Sequence, residues 1–156
     1  MKKRRMAMDE LTIRWMTVED IDEVMTVEHT SFSSPWKKED ILHDLVENPF
    51  SDYLVVEKNN QVIGYCGAWT VVESAQITNI AILPSERGNR YGERLFKRMI
   101  RWLKLKDAKE LSLEVRESNI AAQRLYERFG MKAVGKRKNY YRDNGEDAIV
   151  MWVELS

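Results

Sequence analysis

The segment 76–101, Gln-Ile-Thr-Asn-Ile-Ala-Ile-Leu-Pro-Ser-Glu-Arg-Gly-Asn-Arg-Tyr-Gly-Glu-Arg-Leu-Phe-Lys-Arg-Met-Ile-Arg, changes its period halfway along. Residues 77–83 are largely β-branched or apolar and read as a strand, which Pro84 ends because it has no N–H for a ladder. From Tyr91 onward Leu95, Met99 and Leu103 recur every four positions with Phe96 and Ile100 beside them, the stripe of an amphipathic helix. Between the two lies Arg87-Gly88-Asn89-Arg90-Tyr91-Gly92. Glycines let backbone approach a ligand closely, and the free N–H groups at a helix start suit a phosphate or pyrophosphate.

Strand, glycine-rich turn and helix also open Rossmann and P-loop sites. Neither pattern fits, because Gly-Lys-Ser/Thr is missing and no early βαβ unit carries Gly-x-Gly-x-x-Gly.

The rest of the chain supplies elements around this unit. Residues 11–15 alternate apolar and polar and predict a first strand. Thr17 with Glu19 and Asp20 predicts a capped helix start, and Ile21, Val24, Met25 and Val27-Glu28 continue that helix. Ser31 to Trp36 interrupts it, and Pro35 at a first helical position predicts a second helix running to about Glu47. Residues 52–58 and 61–72 read as strands around an Asn59-Asn60 turn, with Gly64 and Gly67 marking a bend or close approach. Residues 110–116 form a fifth strand, Ser118-Asn119 caps a short fourth helix, and Gly130 stops it. Residues 131–141 and 147–155 then predict two strands around the hairpin signal Asn144-Gly145. The order is βααβββαβαββ, a mixed α/β fold of one domain over 11–156 preceded by a basic flexible tail at 1–10.

With 25 basic and 25 acidic residues the net charge is zero, which argues against a dedicated nucleic-acid binder. Cys66, the one cysteine, sits in an apolar strand and reads as a small buried hydrophobe. A chain without a disulfide framework suits a reducing cytoplasm. The basic start Met1-Lys-Lys-Arg-Arg is cut off by Asp9-Glu10 before an apolar run develops, so it is not a signal peptide, and Met6 or Met8 is an alternative start. No run approaches the ~20 apolar residues of a membrane span. His29 and His43 each lie in a charged helix, and no metal constellation assembles around them.

The 87–92 loop resembles the acyl-CoA binding motif of the GNAT superfamily of N-acetyltransferases, Gln/Arg-x-x-Gly-x-Gly/Ala, with Arg87 and Gly92 matching and Arg90 standing where the motif has glycine. Arg90 is expected to hold helical φ, where an arginine is harmless and adds a cation near the phosphates. The element order is also the GNAT order. Leu113-Glu114-Val115-Arg116-Glu117-Ser118-Asn119 with Leu125-Tyr126-Glu127-Arg128-Phe129-Gly130 resembles a further block of these enzymes. Phe32 to Trp36, Arg137-Lys138-Asn139-Tyr140-Tyr141 and Gly145 to Met151 resemble the RimI branch, enzymes that acetylate the N-terminus of a ribosomal protein.

The resemblance implies acetyl-CoA as cosubstrate and no metal. It implies a protein N-terminus as acceptor, the N-terminal alanine of a ribosomal protein, and a cytoplasmic monomer or weak dimer with no direct nucleic-acid or membrane binding. It assigns Glu114 as general base and Tyr126 as the acid that protonates departing CoA, chemistry that a carboxylate and a phenol can supply. It places the backbone of Ile80, Ala81 and Ile82 along the acetyl and pantetheine groups, and Gly88, Asn89, Arg90, Tyr91, Gly92 and Glu93 at the pyrophosphate. Asn119 falls at the pantetheine, and strands four and five should splay to admit the cofactor arm. Structural roles stand beside these: Glu114 as an ion-pair partner, for instance of Arg116, and Tyr126 as a core residue with a satisfied hydroxyl. Strand alternation would put Tyr140 and Tyr141 on opposite faces. Rival functions are acetylation of a lysine or small amine, and a CoA-sensing module without chemistry.

Overall fold

Seven strands hydrogen-bond in the order β1-β2-β3-β4-β5-β7-β6, and four helices cover the sheet in a computed structural model that describes residues 10–155. The strands are β1 (Leu11–Trp15), β2 (Ser51–Lys58), β3 (Gln61–Val71), β4 (Ser74–Ile82), β5 (Glu110–Arg116), β6 (Lys132–Arg137) and β7 (Ala148–Glu154). The helices are α1 (Ile21–Ser31), α2 (Lys38–Glu47), α3 (Tyr91–Leu105) and α4 (Ile120–Glu127). The order along the chain is the expected βααβββαβαββ. All but residue 10 of the expected tail lies outside the described residues, and Glu10 exchanges hydrogen bonds with Asn59 at 2.9 and 3.0 Å.

Alternation in the strands divides the core in two. Leu54 and Val56 of β2 face the cluster under α3 and α4, where Leu95, Phe96, Met99 and Leu103 are wholly buried. Tyr53 and Val55 face the opposite cluster under α1 and α2, with Val24, Val27 and Ile41. Both layers are therefore needed to cover β2 and β3, whose runs are nearly continuous in apolar residues for that reason. Among the described residues no helix is long and apolar enough to cross a membrane.

Two boundaries differ from expectation. The second helix starts at Lys38 and not at Pro35: the Trp36 N–H is donated to the Glu28 carboxylate at 2.8 Å, which ties this loop to α1, and Lys37 is extended ahead of the helix. The sixth strand ends at Arg137, before Tyr140 and Tyr141, so the turn to β7 is a ten-residue loop. Asn139 has φ 52° and donates its N–H to Asp147 at 2.8 Å, which bends the chain out of the ladder.

Every neighbouring pair of strands is antiparallel except β4 and β5. That parallel pair joins only at Ser74 with Glu110, Ala75 with Leu111 and Gln76 with Ser112. Beyond it β4 stays with β3 as far as Ile82, and β5 stays with β7 as far as Arg116. The expected splay is present.

Candidate active site

The splay opens a cavity of about 290 Å³ between the two strands. One wall is Ile77 to Ile80 of β4, and the other is Leu113 to Arg116 of β5. Glu28, Phe32 and Trp36 close one end from α1 and the loop after it. Tyr126 of α4 and Tyr141 of the β6–β7 loop also line it. An unpaired strand edge offers backbone N–H and C=O groups to a ligand. The Leu83 N–H is donated to the Ile63 carbonyl at 2.8 Å, so alternation turns the backbone groups of Ile80 and Ile82 toward this edge, whereas Ala81, expected among the cofactor contacts, has its own directed at Tyr65 of β3. The Ile82 carbonyl is already taken, accepting from Arg87 Nε at 3.0 Å.

Glu114 and Tyr126 come to the same cavity from different elements. The Glu114 side chain is largely buried, accepts from Arg137 Nε at 2.7 Å and accepts from Gln76 Nε2 at 3.2 Å. Its cation is thus Arg137 and not Arg116, which instead binds Asp143 at 2.7 Å and Glu146 at 3.2 Å and stacks on Tyr141. Tyr126 packs its ring on Phe96 with centroids 5.1 Å apart, and among the described residues its hydroxyl has no hydrogen-bond partner. Burial pushes this phenol well above the ordinary tyrosine value of 10.0, so it holds its proton through the neutral range. Tyr140 and Tyr141 meet edge to face in the loop, and only Tyr141 reaches the cavity.

At the mouth of the wedge the chain passes from β4 through a 3₁₀ turn, Pro84–Glu86, into α3. Arg87 ties this turn down, donating to the Ile82 carbonyl and to Ser31 Oγ at 3.2 Å. Gly88 has φ 86°, and open space surrounds the position a Cβ would take, so conformation and not crowding favours glycine there. The first i to i−4 bond of α3 runs from the Arg94 N–H to the Arg90 carbonyl at 3.1 Å. The N–H groups of Tyr91, Gly92 and Glu93 precede it and lie at the positive end of the helix dipole, which fits a pyrophosphate. Glu93 is offset by Arg128 at 2.9 Å and by Arg90 at 3.6 Å. Asn119 caps α4 by accepting the Ala122 N–H at 3.1 Å and lines the cavity, leaving its side-chain NH₂ to donate.

Arg90 is the correction in this loop. Its φ of 62° and ψ of 21° are left-handed, not helical. The chain must reverse within the residues between the 3₁₀ turn and α3, and a left-handed residue at the N-cap accomplishes this. A side chain there costs about 1 to 2 kcal/mol, against a glycine entropy cost of roughly 0.5 to 1. Arg90→Gly is therefore expected to raise Tm by about 1 to 3 °C and to weaken acetyl-CoA binding less than about tenfold. Arg90→Ala keeps the strain and loses the charge, so a matching rise in its thermal melt would show that conformation is not the cause.

The sequence did not disclose a buried polar chain at the end of the cavity. Tyr65 donates its hydroxyl proton to Glu28 Oε1, Asn79 Nδ2 donates to the Tyr65 oxygen at 2.9 Å, and Thr78 donates to Asn79 Oδ1 at 2.7 Å. The Trp36 N–H occupies Glu28 Oε2. Glu28 is 1% exposed, and desolvation raises its carboxyl above the usual range. A signal existed: Glu28 falls seven residues after Ile21 and four after Val24, on the apolar stripe of α1. Among the described residues no group of His, Cys, Asp and Glu is arranged to hold a metal ion.

A sheet opened at one parallel pair, a helix N-terminus at its mouth and a carboxylate and phenol inside suit an enzyme that transfers an acyl group. Comparison with known proteins agrees. A sequence profile of the Acetyltransferase (GNAT) family matches residues 15–131, and the chain belongs to that family and is an acetyl-CoA-dependent N-acetyltransferase. It is 55% identical over 144 residues to the putative ribosomal protein bS18-alanine N-acetyltransferase of Bacillus subtilis, covering 92% of this chain and 95% of that one. The ribosomal protein bS18-alanine N-acetyltransferase of Haemophilus influenzae is 39% identical over 137 residues, 85% of this chain and 90% of its own. The crystal structure of the ribosomal-protein-S18-alanine N-acetyltransferase of Escherichia coli superposes with a TM-score of 0.88 at 28% identity, over 94% of this chain and 95% of that one.

Proposed function

We propose that residues 11–156 act as one catalytic unit that acetylates the α-amino group of a protein N-terminus, the N-terminal alanine of ribosomal protein bS18. The 55% identity to a relative named for that reaction carries this reading, and the convergence of Glu114 and Tyr126 on one cavity supports it. Acetyl-CoA supplies the activated acyl carbon. The Ile80 backbone, the Ile82 N–H and the Asn119 amide orient its arm, while the N–H groups of Gly88 to Glu93 hold the pyrophosphate. An α-amine has a pKa near ~7.7 to 8.0 and is mostly protonated at neutral pH. Glu114, kept in place by Arg137 and Gln76, accepts that proton directly or through water, which frees the nitrogen lone pair. As the new N–C bond forms the nitrogen sheds its second proton to solvent, and as the C–S bond breaks Tyr126 gives its hydroxyl proton to the sulfur and regains one from solvent. At neutral pH the phenol is protonated, the form that the acid role requires.

Acetyl transfer from labelled acetyl-CoA to peptides beginning with alanine, set against lysine peptides with blocked N-termini and small amines, tests the reading. Transfer to the α-amine is expected, and transfer to lysine alone overturns it. Glu114→Gln should lower kcat/KM by about 10- to 100-fold at pH 7. The sign with pH follows from the substrate: above about pH 8 the amine is already free, so the defect should shrink as pH rises. A defect constant from pH 6 to 9 would remove Glu114 as the base.

A further inference from the structure

Three carboxylates line or rim the cavity, and two are neutralised within the protein. Glu114 has Arg137 at 2.7 Å, and Asp143 has Arg116 at 2.7 Å. Glu28, the most deeply buried of the three, has no cationic side chain within ion-pair distance among the described residues. Its neighbour His29 is exposed and acts on it only at a distance. Arg142, at the rim, is exposed as well.

The partners of Glu28 are donors, the Tyr65 hydroxyl and the Trp36 N–H, one on each oxygen. Both donors favour the ionised form against the desolvation that raises this carboxyl. A carboxylate has about four acceptor sites, so about two remain for a ligand. An ionised group buried without a countercharge is costly, and a cation arriving from outside removes that cost. The cationic group of the acceptor is its ammonium, which carries three N–H donors.

We propose that Glu28 binds the α-ammonium of the acceptor, with Tyr65 and Asn79 beneath it fixing the carboxylate at the end of the cavity. This rests on the reading of the acceptor as a protein N-terminus. Glu28 is thereby a specificity-determining residue: it holds the charged nitrogen on the α1 side of the cavity, while Glu114 on the β5 wall receives the proton. The same carboxylate also staples the loop after α1 to the sheet, and the test must separate the two roles.

The separation comes from peptide pairs. With CoA saturating and at a pH near 6.5, a peptide beginning with alanine is compared with one in which a propionyl group replaces that alanine and removes only the amine. Wild type is expected to bind the ammonium peptide about tenfold or more tightly, the size of a charge-assisted hydrogen bond. In Glu28→Gln the preference should fall below about threefold, whereas a loosened loop would weaken both peptides alike. Tyr65→Phe, which removes a support but keeps the charge, should retain the preference. A Glu28→Gln variant that keeps the wild-type preference overturns the assignment and leaves the acceptor reading standing. A wild type that acetylates only lysine or small amines overturns that reading and the assignment with it. Should Glu28→Gln not fold, the crystal structure of wild type with CoA and peptide decides: the ammonium within about 3.5 Å of Glu28 supports the assignment, and an ammonium held elsewhere refutes it.

Discussion

Tyr126→Phe is expected to lower kcat by roughly 10²- to 10⁴-fold while leaving the melting temperature and the affinity for acetyl-CoA almost unchanged. The substitution removes one oxygen and keeps the ring against Phe96. Removing a buried hydroxyl usually costs about 0.5 to 1.5 kcal/mol through its lost hydrogen bond. Here no such bond exists among the described residues, so the chemical and structural roles separate in one variant. Steady-state kinetics with saturating peptide, beside a thermal melt, checks both halves. Survival of turnover within a factor of about three would leave protonation of the departing sulfur to water. The raised phenol pKa adds a pH signature: wild-type kcat should show no fall from phenol ionisation as pH approaches 10.0, since the folded pKa lies above that ordinary value.

Gly67→Val should destabilise the fold by about 3 kcal/mol, a drop in Tm of roughly 6 to 12 °C. A Cβ at this position would lie 2.5 Å from Tyr53 Cε2 and 2.6 Å from Asn79 Oδ1. Neither neighbour can swing aside cheaply. Tyr53 is buried, stacked near Tyr65 and bonded through its hydroxyl to Asp44 at 2.8 Å. Displacing Asn79 disrupts its bond to Tyr65 and so the support of Glu28. Gly135→Ala serves as the control, since its Cβ would meet nothing within 4 Å. Urea unfolding of both variants measures the difference, and a Gly67→Val effect below about 0.5 kcal/mol would contradict the packing described.

Legibility followed the range of the forces involved. β1 and β5 stand where alternation put them, and α3 follows its four-residue stripe, because side-chain period is a local property. Gly67 was recognisable as a close approach, and a register shift does fall between Gly67 and Ala68. The failures lie where a distant side chain claims a backbone group. Glu28 captures the Trp36 N–H ahead of α2, and Asp147 captures the Asn139 N–H and ends β6 early. Arg90 failed for a different reason, since its backbone is set by the angle at which α3 must leave the turn. In the cavity, Glu114, Tyr126 and Asn119 were found from their motif. Tyr65 and Asn79 were hidden among strand residues whose polarity gives no hint of a shared network.

The short parallel ladder between β4 and β5 has a mechanical consequence. Glu28 and Asn79 stand with the β1–β4 half of the sheet, Glu114 and Tyr126 with the β5–β7 half, and the halves join in the sheet only at Ser74–Gln76 and Glu110–Ser112. The molecule thus resembles a pair of jaws whose aperture is set at the spine, where Ala75 sits opposite Leu111 and both are buried. A bulkier residue at Ala75 would force the spine apart and widen the gape at the far end, separating the groups that meet a substrate. Distance between catalytic walls is then a property of core packing at the spine, and turnover can drift through substitutions that touch neither wall.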